Sequence, residues 1–201
     1  MTKVTAQISI SLDGFAAGPN QTEADPLGAG GERLHHWMFT DDKTAVDEEA
    51  VAEILEGTGA FVMGRNMFGP IRGAWTGDWR GWWGDDPPYH APVFVLTHHP
   101  RDPVVMEGGT TFFFVTDGIE SAVARARAAA GAQDVGIAGG AQTLRQAFAV
   151  GLVDEIDIHI TPVMLGAGER LFGDGLGDVR FEQVAVRPSD NVIHARYRVV
   201  R

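Results

Sequence analysis

The sequence contains no cysteine. Disulfides, thiolate metal ligands and a cysteine nucleophile are therefore excluded. No run approaches the ~18 uninterrupted apolar residues of a helix that spans a bilayer, so a membrane role is not expected. Cationic residues are scarce as well: 16 Lys and Arg stand against 27 Asp and Glu, a formal net charge of −11. Duplex binding needs clustered Lys and Arg, so nucleic acid is not an expected partner. An anionic small ligand would have to be held by local donors against an unfavourable overall field. The opening MTKVTAQISIS has neither the apolar core nor the small-residue cleavage site of a secretory signal. Together with the missing cysteines this points to the cytoplasm. Internal repeats and low-complexity tracts are absent too.

What remains is 201 residues, 44% apolar and 21% charged. That length and composition suit one globular domain with a sizeable core. Val4 to Ser11 alternates and is rich in β-formers, which predicts a strand. Asp13 to Gly31 is rich in Gly, Pro, Asn and Asp and predicts a long loop, a kind of segment that is often functional. Asp41 or Asp42 is expected to cap a helix reaching about Glu56, with Val51, Ile54 and Leu55 on one face and Gly57 as its stop. Further strands are expected at Ala60 to Met63, Val93 to Leu96, Thr111 to Val115, Val135 to Ala138 and Ile156 to Thr161. Asp117 and Glu120 have capping-box spacing before a helix that ends at Gly131, and another helix runs from Gln142 to Val150 before Gly151. Gly69 to Pro92 is irregular and holds four tryptophans. Val179 to Val186 and Val192 to Val200 read as a closing antiparallel pair. The pattern predicts an α/β domain with a mostly parallel sheet and an antiparallel edge. Ligands of such sheets bind beyond the carboxyl ends of the strands.

Four segments follow predicted strands there: SLDGF, MGRNMF, VLTHHPR and AGGAQTLRQ. In the last, an apolar run breaks on Gly139-Gly140 and turns at once into a helix. Glycine permits positive φ and close approach of a ligand. The N–H groups of Ala141, Gln142 and Thr143 lack intrahelical partners and sit at the positive end of the helix dipole, where a phosphate could accept them. A tight turn without a ligand explains the same glycines. Gly64, Arg65 and Asn66 place a cation and a backbone donor at another strand end, and Thr97, His98, His99 and Arg101 place a hydroxyl, imidazoles and a guanidinium at a third. Arginine forks grip phosphate monoesters. Three donor-rich strand ends fit a dinucleotide carrying an extra phosphate.

The ordered set SLDGF, MGRNMF, PVFVLTHHPR and GIAGGAQTLRQAFAVGLVDEIDIHITPVMLGAGERLF resembles the dihydrofolate reductase-like superfamily. Within it, the chain is most similar to the RibD C-terminal reductase domain of the riboflavin-biosynthesis deaminase/reductase. The resemblance covers almost the whole chain. It implies a dihydrofolate reductase-like three-layer αβα sandwich, with residues 1–201 as a single domain, and a homodimer. It implies NADPH bound in an extended pose and hydride transfer to a pteridine-, pyrimidine- or similar flat heterocycle. Gly64, Arg65 and Asn66 would match the family's phosphate-contacting turn. Thr97, His98 and Arg101 would match the segment around the adenosine 2′-phosphate, and Arg65 would join that clamp. Gly139, Gly140, Ala141, Gln142 and Thr143 would match the pyrophosphate-binding turn. The substrate side departs from the family. PLGAGGERLHHWMFTDD stands where dihydrofolate reductases carry Trp-x-x-Pro-x-Asp and an acid on the next helix, with Glu32, Asp41 and Asp42 as substitutes. GPIRGAWTGDWRGWWGDDPP stands where the riboflavin branch carries Asp-x-Pro-x-Leu-x-x-Arg.

On that side Asp13 is expected near the nicotinamide end of the cleft. A partly apolar pocket would raise its pKa and let it relay a proton. Equally, Asp13 starts a turn in which Gly14 takes positive φ. Trp75, Trp79, Trp82 and Trp83 can pack as the loop's own small core or form a subunit interface, and Trp75 is the best candidate to stack on a heterocycle. Gly166, in GAGERLF, can flank the nicotinamide, or the segment can be a loop with Leu171 and Phe172 buried. The adjacent pairs His35-His36 and His98-His99 diverge rather than chelate, and no HExxH spacing exists, so no metal is expected. A non-catalytic NADPH-binding sensor module of the same fold is the competing reading.

Overall fold

The computed structural model describes residues 2–200 apart from residue 174. In chain order its elements are β1 (Val4–Ile10), β2 (Phe15–Ala17), a 3-10 turn (Gly31–His35), α1 (His36–Phe39), α2 (Ala45–Glu53), β3 (Thr58–Gly64), α3 (Arg65–Phe68), β4 (Pro92–Leu96) and β5 (Val104–Val105). There follow β6 (Thr111–Val115), α4 (Ile119–Ala130), β7 (Asp134–Gly139), α5 (Ala141–Ala149), β8 (Glu155–Ile160), β9 (Glu169–Arg170), β10 (Arg180–Pro188) and β11 (Ile193–Val200). Nine strands make one sheet in the order β10-β11-β8-β1-β7-β3-β4-β6-β5, while β2 and β9 pair apart from it. From β8 to β6 neighbours run parallel, and β10, β11 and β5 are antiparallel. This is the expected mixed sheet. The chain moves outward through β3, β4 and β6, then returns to insert β7 between β1 and β3.

The two faces of the sheet differ because the strands alternate. Val4, Ala6, Val62, Val135, Ile137, Ile156 and Ile158 share a core with α4 and α5. On α4 that core takes Ile119, Ala122, Val123, Ala126 and Ala130, a helical stripe. The other face carries two smaller clusters. Phe61, Met63, Phe68, Val93, Val95 and Phe112 lie under the tryptophan loop. Trp37, Ala50 and Val192 join α1 and α2 to β11.

Several local expectations need correction. Thr44, not Asp41 or Asp42, caps α2: its hydroxyl accepts from the Asp47 N–H at 3.3 Å while the Asp47 carboxylate accepts from the Thr44 N–H at 3.0 Å. That reciprocal pair satisfies two first-turn donors at once. The helix ends at Glu53, and residues 54–57 are turn. Asp117 and Glu120 form no capping box, because Gly118 is the cap residue of α4 and Asp117 accepts instead from Ser121 and Arg125. The long loop after β1 contains β2, which was not expected as a strand.

Leu144 is fully buried between α5 and the sheet. Leu144→Ala should lower the unfolding free energy by about 2–5 kcal/mol through lost burial and a residual cavity, read from urea unfolding.

Candidate active site

The strand order sets the geometry of the site. Because β7 lies between β1 and β3, and β4 follows β3, the carboxyl ends of β1, β7, β3 and β4 stand side by side. Met63 pairs with Gly139 and Gly64 with Leu96 in register. Three inter-strand steps of about 4.8 Å spread these ends over roughly 14 Å. Along that edge run Asp13, then Gly139 to Thr143, then Gly64 to Asn66, then Thr97 to Arg101.

At the second position the Gly139–Gly140 peptide is cis, and Gly139 has φ 125°. A Cβ at Gly140 would meet only open space, so nothing packs against the backbone on that side. No side chain caps α5. The N–H groups of Ala141, Gln142 and Thr143 therefore precede the first intrahelical bond, from Leu144 N–H to the Gly140 carbonyl. A Cβ at Gly64 would collide with Oγ1 of Thr143, which is why the ends of β3 and β7 can close together.

Arg65 behaves differently from the expectation of a free phosphate clamp. Its Nη1 donates to Thr97 Oγ1 at 2.9 Å, Nε to the Ile71 carbonyl at 3.0 Å and Nη2 to the Gly73 carbonyl at 2.7 Å. Its guanidinium lies 3.5 Å from the Trp75 ring centroid. Every nitrogen of Arg65 thus already holds the tryptophan loop to the sheet. Burial first, and then Arg72 and Arg101, push its pKa down. Arg101 sits 5.0 Å from the same Trp75 ring and its Nη1 is buried without a hydrogen-bond partner. His98 and Asn66 are exposed along the edge.

Trp75, the expected stacking ring, is engaged by the loop itself: both arginine guanidinium groups lie near it, it packs edge-on against Phe68 and Phe114, and its Nε1 donates to the His99 carbonyl. Trp79 donates to the Phe68 carbonyl and also packs inward. The loop's own core is therefore what these tryptophans build.

Asp13 and Gly166 are brought together. The Asp13 carboxylate accepts from the Leu165 N–H at 3.1 Å and the Gly166 N–H at 2.7 Å. Gly14 takes φ 83°, as a turn requires. The Ser11 hydroxyl first, with the Leu165 and Gly166 amides, outweighs desolvation and lowers the Asp13 pKa to about 2. The expected raised pKa is therefore wrong: Asp13 is ionised at neutral pH and cannot store a proton there. Leu171 is buried and Phe172 half-exposed.

A trough of about 550 Å³ opens on the second face of the sheet, between the tryptophan loop and the α1–α2 segment. Thr5, Gln7 and Ser9 of β1, Gly136 and Ala138 of β7, and Asp157 and His159 of β8 form its floor. Met67, Trp83 and Tyr89 wall one side, and His35, Trp37 and Leu55 the other. Ala138 precedes Gly139, so the trough ends beside the open strand-end turn. The sequence reading missed Gln7, His159 and Trp37, and it named Trp83 only as one of the loop tryptophans, with Trp75 preferred as the stacking ring. EIDIHI and VTAQISI alternate apolar with polar, which put Asp157, His159, Gln7 and Ser9 on one face. That face was legible once the polar half of the pattern was read.

The sequence pattern of the RibD C-terminal domain matches residues 2–195. The chain belongs to that family. RibD C-terminal domains are reductase domains, which makes this chain a member of an oxidoreductase family. No curated protein matches it. Among solved structures, one from Shewanella sp. PV-4, described as a candidate riboflavin biosynthesis protein, is 23% identical over 100% of both chains with a TM-score of 0.71. RibD from Acinetobacter baumannii is 16% identical over 100% of this chain and 59% of its own, with a TM-score of 0.61. Dihydrofolate reductase from Enterococcus faecalis, in complex with NADP(H), is 16% identical over 98% of this chain and 96% of its own, with a TM-score of 0.59. At these identities the three share the fold. Among the described residues no helix is long and apolar enough to cross a membrane, and no group of His, Cys, Asp and Glu is arranged to hold a metal.

Asp13 should titrate near pH 2 in carboxyl NMR. Its folded value lies below the ordinary 3.8, so the tether to Leu165 and Gly166 is complete above about pH 4 and is released as pH falls through 2. Asp13→Asn should speed amide exchange at both residues at neutral pH. A titration at or above 4, or unchanged exchange, would sink this account of Asp13.

Proposed function

We propose that this protein is an NADPH-dependent reductase of a flat pteridine- or pyrimidine-like heterocycle. The observation that carries the reading is the junction at Ala138–Gly139, where an open turn with the uncapped start of α5 meets a trough with polar floor and aromatic wall. Gly139, Gly140 and the amides of Ala141, Gln142 and Thr143 would hold the pyrophosphate, with the dipole of α5 behind them. Gly64 and Asn66 would flank it, and Thr97, His98 and Arg101 would take the 2′-phosphate. Arg65 would act mainly by holding Thr97 and Trp75 in place. Asp13 and Gly166 would border the nicotinamide end. When bound there, NADPH supplies a hydride.

The chain's own residues then do three things. The edge of four strands fixes an extended dinucleotide in one direction. Met67, Trp83 and Tyr89 offer apolar area to a flat ring, and Thr5 and Gln7 offer polar contacts below it. Trp37 and the α1–α2 segment cover the far end and limit water.

Isothermal calorimetry should find NADPH bound more tightly than NADH. Arg101→Ala should remove roughly tenfold or more of the NADPH affinity, the worth of one hydrogen bond to a charged group, and leave NADH little changed. Equal loss for both cofactors would take Arg101 out of the 2′-phosphate site. NADPH oxidation, followed at the reduced-nicotinamide absorbance band, should occur with at least one member of a pteridine and aminopyrimidine panel. Tight binding with no turnover would favour the sensor reading instead.

A further inference from the structure

Asp47, His194 and His159 form a line through the interior, 0, 2 and 4% exposed. Oδ1 of Asp47 is 3.0 Å from Nε2 of His194, and Nδ1 of His194 is 2.8 Å from Nδ1 of His159. Nε2 of His159 is 3.4 Å from Oε1 of Gln7, on the trough floor. The line arises from sheet register: His194 of β11 pairs directly with His159 of β8, which pairs with Ser9 of β1. Trp37 covers both imidazoles, with ring centroids at 4.7 and 4.9 Å, and donates to Ser9.

Counting protons along this line gives an unequal answer. Gln7 is oriented by its own amide, whose Nε2 donates to the Glu53 carbonyl at 3.1 Å. Its Oε1 therefore faces His159 as an acceptor. Asp47 is an acceptor at the other end. Three contacts then need three N–H protons: one toward Asp47, one between the two Nδ1 atoms, and one toward Gln7. Two neutral rings carry only two. The third makes His194 the cation, paired with the Asp47 carboxylate, and leaves His159 neutral with its proton on Nε2.

The surrounding charges agree with that assignment. Burial raises the Asp47 carboxyl, but Ser189, the Thr44 amide, His194 and Asn191 outweigh it and hold it below the usual range. Burial, then His194, His35, Arg187 and Arg196, push His159 well below the ordinary imidazole value. The two arginines are themselves tied to Glu53 and Asp157. A second excess proton is thus kept out of the pair.

We propose that this line is the proton source of the site: a ligand acceptor that displaces Oε1 of Gln7 takes its place on Nε2–H of His159, and His194 and Asp47 are positioning residues behind it. The proposal rests on the reductase reading above. It fits a ligand whose reacting edge is an acceptor, the nitrogen or oxygen of a C=N or C=O bond. The β1–β7 register runs through Ala6 and Ile137, and β7 ends at Gly139. His159 of β8 and the turn after β7 flank β1 on either side, no closer than about 10 Å across two strand spacings. A flat ring lying in the trough over Gln7, beside Trp37, would have Nε2 of His159 on one side and the turn on the other. As its carbon takes the hydride of a reduced nicotinamide, which is thereby oxidised, its nitrogen or oxygen takes the His159 Nε2 proton. His159 receives the His194 Nδ1 proton at its own Nδ1. The nicotinamide C–H bond, the ligand's π bond and two imidazole N–H bonds would break; a ligand C–H bond, a ligand N–H or O–H bond, a His159 Nδ1–H bond and a π bond in the oxidised nicotinamide would form. His194 ends neutral, still donating to Asp47, and a solvent proton resets the pair.

The test begins without turnover. Long-range 1H–15N spectra of the histidine-labelled full chain at pH 7 should show His159 protonated at Nε2 and three protons over the two rings. Asp47→Asn should reduce the count to two. Two neutral rings in the unsubstituted chain would overturn the proposal, and that measurement needs no variant to fold. With a heterocycle that the protein reduces, His159→Gln should lower kcat about a hundredfold or more with NADPH affinity unchanged. Asp47→Asn should move the basic limb of the kcat profile to lower pH. Turnover with an unaltered rate and profile in both variants would overturn the proposal while leaving the reductase reading intact. Three protons but no turnover across the panel would overturn the reductase reading and, with it, the proton's destination.

Discussion

The insertion of β7 between β1 and β3 is the constraint on which the rest depends. It lines up four parallel strand ends and brings segments far apart in sequence onto one edge. It also puts the Gly139–Gly140 turn beside Gly64, a contact that a side chain on Gly64 would prevent. Without that neighbour relation, the uncapped start of α5 and the Thr97–Arg101 segment would belong to different surfaces.

The same sheet serves two purposes through its two faces. One is apolar and sealed by α4 and α5, and it supplies the main core. The other carries ladders of polar residues across β1, β8 and β11: Ser9, His159 and His194 in one row, Gln7, Asp157 and Arg196 in the next. Only partial cover from α1, α2 and the tryptophan loop leaves this face open as a trough. A polar sheet face beneath a cleft offers fixed donors and acceptors that need not reorganise when a ligand arrives.

Much of the sheet was legible because its strands alternate or run apolar between strong punctuation, as at Val4 to Ile10 and Asp134 to Gly139. The glycine turn before α5 was legible because its chemistry is local. The cap of α2 was misread, since two aspartates drew attention from Thr44, whose partner lies three residues on. The fate of Arg65 was not readable. Its acceptors, Ile71, Gly73 and Thr97, are assembled by a loop with no regular pattern. Asp13 was half-read: its turn followed from Gly14, but the Ser11 hydroxyl that does most to lower its pKa was overlooked, and the amides that add to it come from residues 165 and 166. The histidine pair escaped for a related reason. His159 and His194 sit 35 positions apart, and only strand pairing makes them neighbours.

The hold of Arg65 on its loop also bears on how a ligand would enter. A hydroxyl and two carbonyls already occupy its fork, and Trp75 covers its plane. Any anion that drew this guanidinium outward would have to outcompete those partners and loosen the aromatic flap hung from them. Occupancy at the edge of β3 and β4 and order in the chain from 69 to 91 would then be a single coupled equilibrium, so that tryptophan emission from the flap would report on an event several residues away.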